Sequence, residues 1–195
     1  MRTVFFDVDT QIDFLFPAGA LYVPGAEKIA GRIGALNHWA ESEFFTVVST
    51  MDAHAENDPE FQDWPAHCVA GTVGQSKPLV TLLEKRIVIP SSLKQVKLCG
   101  ARQVLLEKQT TDCFANANVH RLLDILAADR FVVYGVVTEI CVRNAAFGLL
   151  QTGKPVELVT DAVECLNRDK AARMLAEFQA RGGKLTTVSE VMQAA

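Results

Sequence analysis

Eight side chains able to bind a metal or move a proton crowd into one stretch of this chain, DAHAENDPEFQDWPAHC. They are Asp52, His54, Glu56, Asp58, Glu60, Asp63, His67 and Cys68. Two of the chain's four histidines are among them. Asp and His ligate zinc, iron or manganese, and alternate residues of an extended segment, such as Asp52 and His54, can approach one ion. The same composition suits a polar surface loop, so the pattern alone leaves both readings open.

Three further residues, far apart in sequence, carry a different chemistry. Asp9 lies in DTQIDF, Lys108 closes QVLLEK, and Cys141 lies in GVVTEICVRNAA. Cys141 is expected three residues into a helix that Thr138 can cap. A helix N-terminus offers partial positive charge and free N–H groups, which stabilise a thiolate and lower the thiol pKa. A nearby lysine would lower it further. A nearby aspartate could take the thiol proton and return it to a leaving group. Cys68, Cys99, Cys113 and Cys165 complete an odd count without a CxxC pair. They read as small buried side chains rather than a disulfide framework.

These residues need elements to position them. Val4–Val8, Phe44–Ser49, Arg86–Pro90, Gln103–Glu107, Arg130–Val137, Val156–Thr160 and Lys184–Val188 read as strands. Helices are expected over Ala26–Glu41, Ala117–Ala128, Thr138 to about Gln151, and Asp169–Ala180, with a short terminal helix from Val191. Residues 51–78 form a long polar segment, and a loop of that length in a compact domain is usually functional. Apolar strands without alternation, separated by helices, imply a mostly parallel sheet covered on both faces. The expected fold is therefore a three-layer α/β/α, Rossmann-like single domain over residues 1–195. Ligands bind at the carboxyl ends of such strands. That singles out Asp9, Asp52, Lys108, Thr138 to Cys141, and Asp161.

Composition narrows the function classes. A net charge of -4 gives no electrostatic reason to expect nucleic acid or an anionic membrane as partner. No run approaches the roughly 20 apolar residues of a membrane-spanning helix. The acidic MRTVFFDVDT start does not suit a signal peptide. The expectation is a cytoplasmic protein with a small-molecule partner. Self-association into a homo-oligomer stays open.

DTQIDF, the lysine after a mid-chain strand, and GVVTEICVRNAA together resemble the cysteine hydrolases of the isochorismatase-like superfamily. The nicotinamidase/pyrazinamidase branch is the nearest match. The resemblance runs from Val4 to about Asp161. It implies Asp9 as general base, Cys141 as nucleophile, and Lys108 as the group that stabilises the ionised pair. It also implies a cis peptide at Val136–Val137, with the Val137 and Cys141 N–H groups as an oxyanion hole. Asp-x-His and the Trp-Pro-x-His motif at Trp64–His67 make Asp52, His54 and His67 metal ligands by the same likeness. The fourth ligand of that branch is His or Glu. Glu60 fits by spacing, with Glu56, Asp58 and Cys68 as alternatives. The ion would be zinc foremost, or iron or manganese, acting as a template for a pyridine nitrogen. Phe14 and Trp64, with Leu21, would enclose the ring. One departure stands out. The segment after Lys108 reads QTTDCFANAN, shorter than the branch's usual loop. The substrate expectation is thus nicotinamide, with another small amide or carbamoyl compound as the alternative.

Overall fold

The computed structural model describes residues 1–193. Its strands are β1 (Thr3–Val8), β2 (Thr46–Asp52), β3 (Arg86–Ile89), β4 (Gln103–Lys108), β5 (Arg130–Val136), β6 (Val156–Glu164) and β7 (Lys184–Thr186). They form one parallel sheet in the order β3-β4-β2-β1-β5-β6-β7. The helices are α1 (Ile12–Leu15), α2 (Ala30–Ser42), α3 (Val119–Leu126), α4 (Arg143–Leu150), α5 (Arg168–Ala180) and α6 (Val188–Gln193). No helix among the described residues is long and apolar enough to cross a membrane.

The central strands are apolar on both sides because both sides are covered. Val4, Phe6 and Val8 of β1 pack with α3, α4 and α5. Phe5 packs on the opposite face with Tyr134 and with Ile33, Leu36 and Ala40 of α2. Burial of each such large side chain stabilises the fold by about 1.5–3 kcal/mol. The expected three-layer α/β/α architecture is the one observed.

The chain enters at the centre with β1 and builds β2, β4 and β3 on one side. It then crosses back to add β5, β6 and β7 on the other. The order reverses between β1 and β5, which is where a ligand crevice opens in such sheets. Gly135 lets these two strands close up at that point. It pairs with Val8 at φ +120°, and a Cβ there would lie 2.1 Å from the Val8 carbonyl oxygen.

Several boundaries differ from the sequence reading. β2 starts at Thr46 and continues through Asp52, because Phe44 is needed for the turn after α2. Phe44 has φ 61°, is 75% exposed, and its ring lies under the Arg102 guanidinium. The helix expected from Ala26 is a short 3₁₀ turn, Ala26–Lys28, followed by α2. β6 runs on to Glu164, so Asp161 is inside a strand rather than at its end. The Asp161 carboxylate accepts the Val188 N–H at the start of α6. β7 stops at Thr186, and α6 begins at Val188, earlier than expected.

Candidate active site

Four adjacent strands deliver the side chains singled out from sequence. β2 and β4 end in register, with Asp52 opposite Lys108. β1 ends beside β2 with Val8 opposite Thr50, and Asp9 follows. β5 ends at Val136, and Cys141 follows one turn later. The Lys108 ammonium, 1% exposed, is the hub. It lies 2.8 Å from Asp9 Oδ2, contacts Asp52 Oδ1, donates to the Thr110 carbonyl at 3.0 Å, and sits 3.9 Å from Cys141 Sγ. Thr50 donates its hydroxyl to Asp9 Oδ1 at 2.7 Å. Asp9, Lys108 and Cys141 are thus brought together.

Gln11 fixes the relation between the Asp9 segment and β2. Its side-chain amide donates to the Asp52 carbonyl at 2.8 Å and accepts the Asp52 N–H at 2.7 Å. It also donates to the Gln75 carbonyl. In the sequence Gln11 is only a motif marker; its buried, two-way bonding to the backbone of one residue, Asp52, becomes visible with the fold.

The turn that carries Cys141 differs from the expected capped α-helix. Thr138–Val142 form a π-helical turn ahead of α4, and Val137 occupies the N-cap position. The Thr138 hydroxyl instead donates to the Glu164 carbonyl at 2.8 Å, tying this turn to the end of β6. The Val136–Val137 peptide is cis. The Val137 N–H makes no hydrogen bond among the described residues.

Burial dominates the electrostatics. It pushes the Cys141 thiol well above its ordinary pKa; Lys108 opposes the shift, while Asp9 and Asp52 add to it. The lowering expected from a helix N-terminus does not outweigh this loss of solvation. Asp9 is also raised, chiefly by burial and against the pull of Lys108. For Lys108, burial favours the neutral amine, but Asp52 and Asp9 overcome it and hold the pKa well above its usual value.

The second group lies alongside. One ligand atom from each of Asp52, His54 and His67 fits within a 4.8 Å span, and all three residues are buried. The polar segment folds back on itself to achieve this. His54 pairs with Val69 in an isolated parallel bridge, and its carbonyl accepts the Ala70 N–H. His67 is thereby set beside His54, with ring centroids 4.8 Å apart. Nε2 of each histidine lies 3.8 Å from Asp52 Oδ2. The Nδ1 atoms face away: that of His67 lies 2.7 Å from the Pro65 carbonyl, and that of His54 lies 3.0 Å from Asp58 Oδ2. Such rear contacts orient metal-bound imidazoles. Both ring nitrogens of His54 are buried without a well-formed hydrogen bond among the described residues, and Nε2 is the one that faces Asp52. Two imidazoles and a carboxylate converging around an orphaned nitrogen fit a divalent metal.

The other acidic and thiol candidates separate on inspection. Glu56 and Asp63 are exposed. Asp58 stands behind His54 and caps the 3₁₀ turn Pro59–Gln62 by accepting the Glu60 N–H. Cys68 is buried, and its N–H donates to Asp13 Oδ2. Glu60, in the first turn of that 3₁₀ segment, is not one of the three clustered residues but lines the adjoining cavity. Burial raises its pKa, and the Asp52 charge adds to the rise.

The cavity joins the two groups. Phe14, Leu21, Trp64, His67 and Cys141 are among its walls. Val23, Thr111 and Leu166 also line it and are not singled out by the sequence, whereas Ile140, another wall residue, belongs to the Thr138–Cys141 segment that is. Leu166 carries no signal, because the apolar run that marks β6 ends well before it.

The sequence profile of the isochorismatase domain family matches residues 3–190. The chain belongs to the isochorismatase family. Within that family it is 26% identical to the nicotinamidase of Escherichia coli (strain K12), over 94% of this chain and 93% of that one. The pyrazinamidase of Pyrococcus horikoshii, solved in complex with zinc, superposes with a TM-score of 0.82 at 28% identity, covering 96% of this chain and 99% of the other. PnC1 from L. infantum, in complex with nicotinate, gives a TM-score of 0.79 at 25% identity over 96% and 93% of the two chains. The isochorismatase-family fold is thus shared along nearly the whole length.

Proposed function

We propose that this protein is a metal-dependent cysteine amidohydrolase that converts nicotinamide to nicotinate and ammonia. One observation carries the reading: Lys108 links Asp9 and Cys141 to Asp52, in a cleft that also holds His54 and His67. Cys141 and two members of the candidate metal site, Asp52 and His67, thus line one apolar cavity, with Asp9 behind them on Lys108. The nicotinamidase and pyrazinamidase relatives support this choice of substrate class.

Asp9 acts as general base on the Cys141 thiol. A thiol with a raised pKa calls for proton removal as substrate is attacked, rather than for a standing thiolate. Sulfur attacks the carboxamide carbon, and the Val137 and Cys141 N–H groups stabilise the oxyanion. Lys108 keeps its charge throughout, stabilising the thiolate as it forms. Protonated Asp9 passes the proton to the amide nitrogen, ammonia leaves, and a thioester remains. Asp9 then takes a proton from water, the hydroxide attacks the thioester, the acid departs as that proton returns to sulfur, and the acid ionises to carboxylate by giving its remaining proton to the released ammonia or to solvent.

Asp52, His54 and His67 would hold the ion, zinc foremost, with iron or manganese as alternatives. Glu60, on the wall of the adjoining cavity, is the further ligand we propose. The ion would supply a Lewis-acid anchor for the ring nitrogen, placing the carboxamide beside Cys141. Phe14, Leu21 and Trp64 would wall the ring.

Ammonia release from nicotinamide, measured with elemental analysis of the purified protein, tests this reading. Turnover by wild type and none by Cys141→Ala is expected. Wild-type turnover in the alanine variant would remove Cys141 as nucleophile. A second reading keeps the machinery and changes the substrate to another small amide or carbamoyl compound. The short segment after Lys108, which brings Thr111 to the cavity wall, favours it. A substrate panel separates the two, and nicotinamide as the best substrate would eliminate the second.

A further inference from the structure

A second buried Asp–Lys pair lies beneath the site and takes no part in the chemistry above. Asp7 and Lys77 are 0% and 5% exposed. Lys77 Nζ lies 3.1 Å from Asp7 Oδ2 and donates to the Thr10 hydroxyl. That hydroxyl in turn donates to Asp7 Oδ1 at 2.6 Å. Asn37 of α2 and Ser49 of β2 both donate to Asp7 Oδ2. The Asn37 side-chain oxygen accepts the Tyr134 hydroxyl. The Asp7 carboxylate is therefore held from four directions.

The position of this network matters because of what it brackets. Side chains alternate between faces along a strand. Val4, Phe6 and Val8 face α3, α4 and α5, while Phe5 and Asp7 face α2. Continued alternation would send Asp9 to the α2 face as well. Its carboxylate instead meets Thr50 and Lys108, which share the alternation of Val48, Val104 and Leu106 on the opposite face. The reversal occurs at Asp9 itself, whose φ is 50°. A non-glycine residue adopts this left-handed conformation at a cost and keeps it only when its surroundings impose it. The side-chain bond from Thr10 to Asp7 closes a ring around Val8 and Asp9. Lys77 anchors that ring to the segment whose carbonyls, at Gly74 and Ser76, accept the Asp13 and Ile12 N–H groups.

We infer that Thr10, clamped by Asp7 and Lys77, is a positioning residue that holds the Asp9 carboxylate on the Lys108–Cys141 side of the sheet. The inference rests on the proposed role of Asp9 as base. It acts on kcat, because misplacing a base by about 1 Å is enough to cost on the order of 100-fold. It leaves substrate binding to the cavity walls and the metal ligands.

Thr10→Val tests this best, because it removes the hydroxyl while leaving the Asp7–Lys77 charge pair and the side-chain volume. In the metal-loaded enzyme, kcat for nicotinamide should fall at least about tenfold with KM within about twofold. Thr10→Ser should restore most of the loss. A crystal structure of Thr10→Val should show Asp9 out of hydrogen-bond reach of Lys108. A folded Thr10→Val with wild-type kcat overturns the inference. So does a loss of kcat with Asp9 unmoved. If wild type hydrolyses no carboxamide, the proposed function fails separately, and the Asp9 position in the Thr10→Val crystal alone decides the inference. Should Thr10→Val not fold, Asp7→Asn combined with Lys77→Met removes the clamp without stranding a charge, and the same measurements apply.

Discussion

Lys108 grips one oxygen of the Asp52 carboxylate, while the other oxygen faces His54 Nε2 and His67 Nε2 at 3.8 Å each. One side chain thus belongs to both halves of the cleft. Asp9, Asp52 and Lys108 are all essentially buried, so two carboxylates share one ammonium. A buried excess of negative charge is costly unless a cation compensates it. The convergence of the two histidines on the free oxygen of Asp52 places the candidate metal site where that compensation is needed.

Removing each member of the proposed catalytic group should have a distinct effect. Cys141→Ala should reduce ammonia release to background, since it removes the proposed nucleophile. Asp9→Asn should lower kcat by about 10²–10⁴-fold, the usual contribution of a positioned base. Both variants should keep their metal, because neither residue is in the Asp52–His54–His67 cluster. Steady-state kinetics with metal analysis checks this, and an Asp9→Asn enzyme with unchanged kcat would refute the base assignment.

The raised thiol pKa makes a prediction about alkylation. A group whose pKa is pushed up remains protonated to higher pH, so Cys141 should react slowly with iodoacetamide near neutrality. Its rate should climb as pH rises through and beyond 9, the ordinary thiol value. Exposed Cys99 supplies an internal comparison. Lys108 is the cation that opposes the rise, so Lys108→Met should move the Cys141 profile to still higher pH. Mass spectrometry of each cysteine peptide reads both. A Cys141 that alkylates faster than Cys99 at pH 7 would contradict the burial argument.

Much of the fold is legible in the sequence because buried parallel strands announce themselves as unbroken apolar runs, as Arg130–Val136 does. The trio Asp9, Lys108 and Cys141 is legible for a related reason: parallel strands put their functional groups at carboxyl ends, which are visible once the strands are. Partners that act through backbone groups are not. Gln11 bonds to the backbone of Asp52, and Thr138 to that of Glu164, and neither contact has a sequence spacing. Leu166 is hidden by the length of β6, since nothing in VTDAVE marks where pairing with β5 stops. Asp58 reads as a possible ligand because sequence cannot say which side of His54 it occupies.

That side has a measurable consequence. Asp58 lies 3.0 Å from His54 Nδ1, behind the face that meets Asp52. Asp58→Asn should therefore weaken metal binding by about 10–100-fold, the usual effect of losing a supporting carboxylate. Asp52→Asn and His67→Gln should abolish retention of metal through purification. Competition with a metal-binding dye measures all three. Equal loss in Asp58→Asn and Asp52→Asn would mean that Asp58 is itself a ligand.

Gly135 connects stability to the site. Alanine there meets two penalties: a φ of +120°, and a Cβ only 2.1 Å from the Val8 oxygen and 2.7 Å from its nitrogen. Gly153 isolates the first, since it has φ +73° and a Cβ there would meet nothing within 4 Å. Gly153→Ala should cost about 1 kcal/mol in denaturant unfolding, the conformational cost alone. Gly135→Ala should cost about 3 kcal/mol, because two backbone strands at the centre of the sheet must move apart. That movement separates Asp9, which follows Val8, from Cys141, which follows β5. The folded fraction of Gly135→Ala should thus lose kcat as well, while Gly153→Ala keeps it. Equal stabilities for the two variants would show that the close approach at Val8 is not what Gly135 provides.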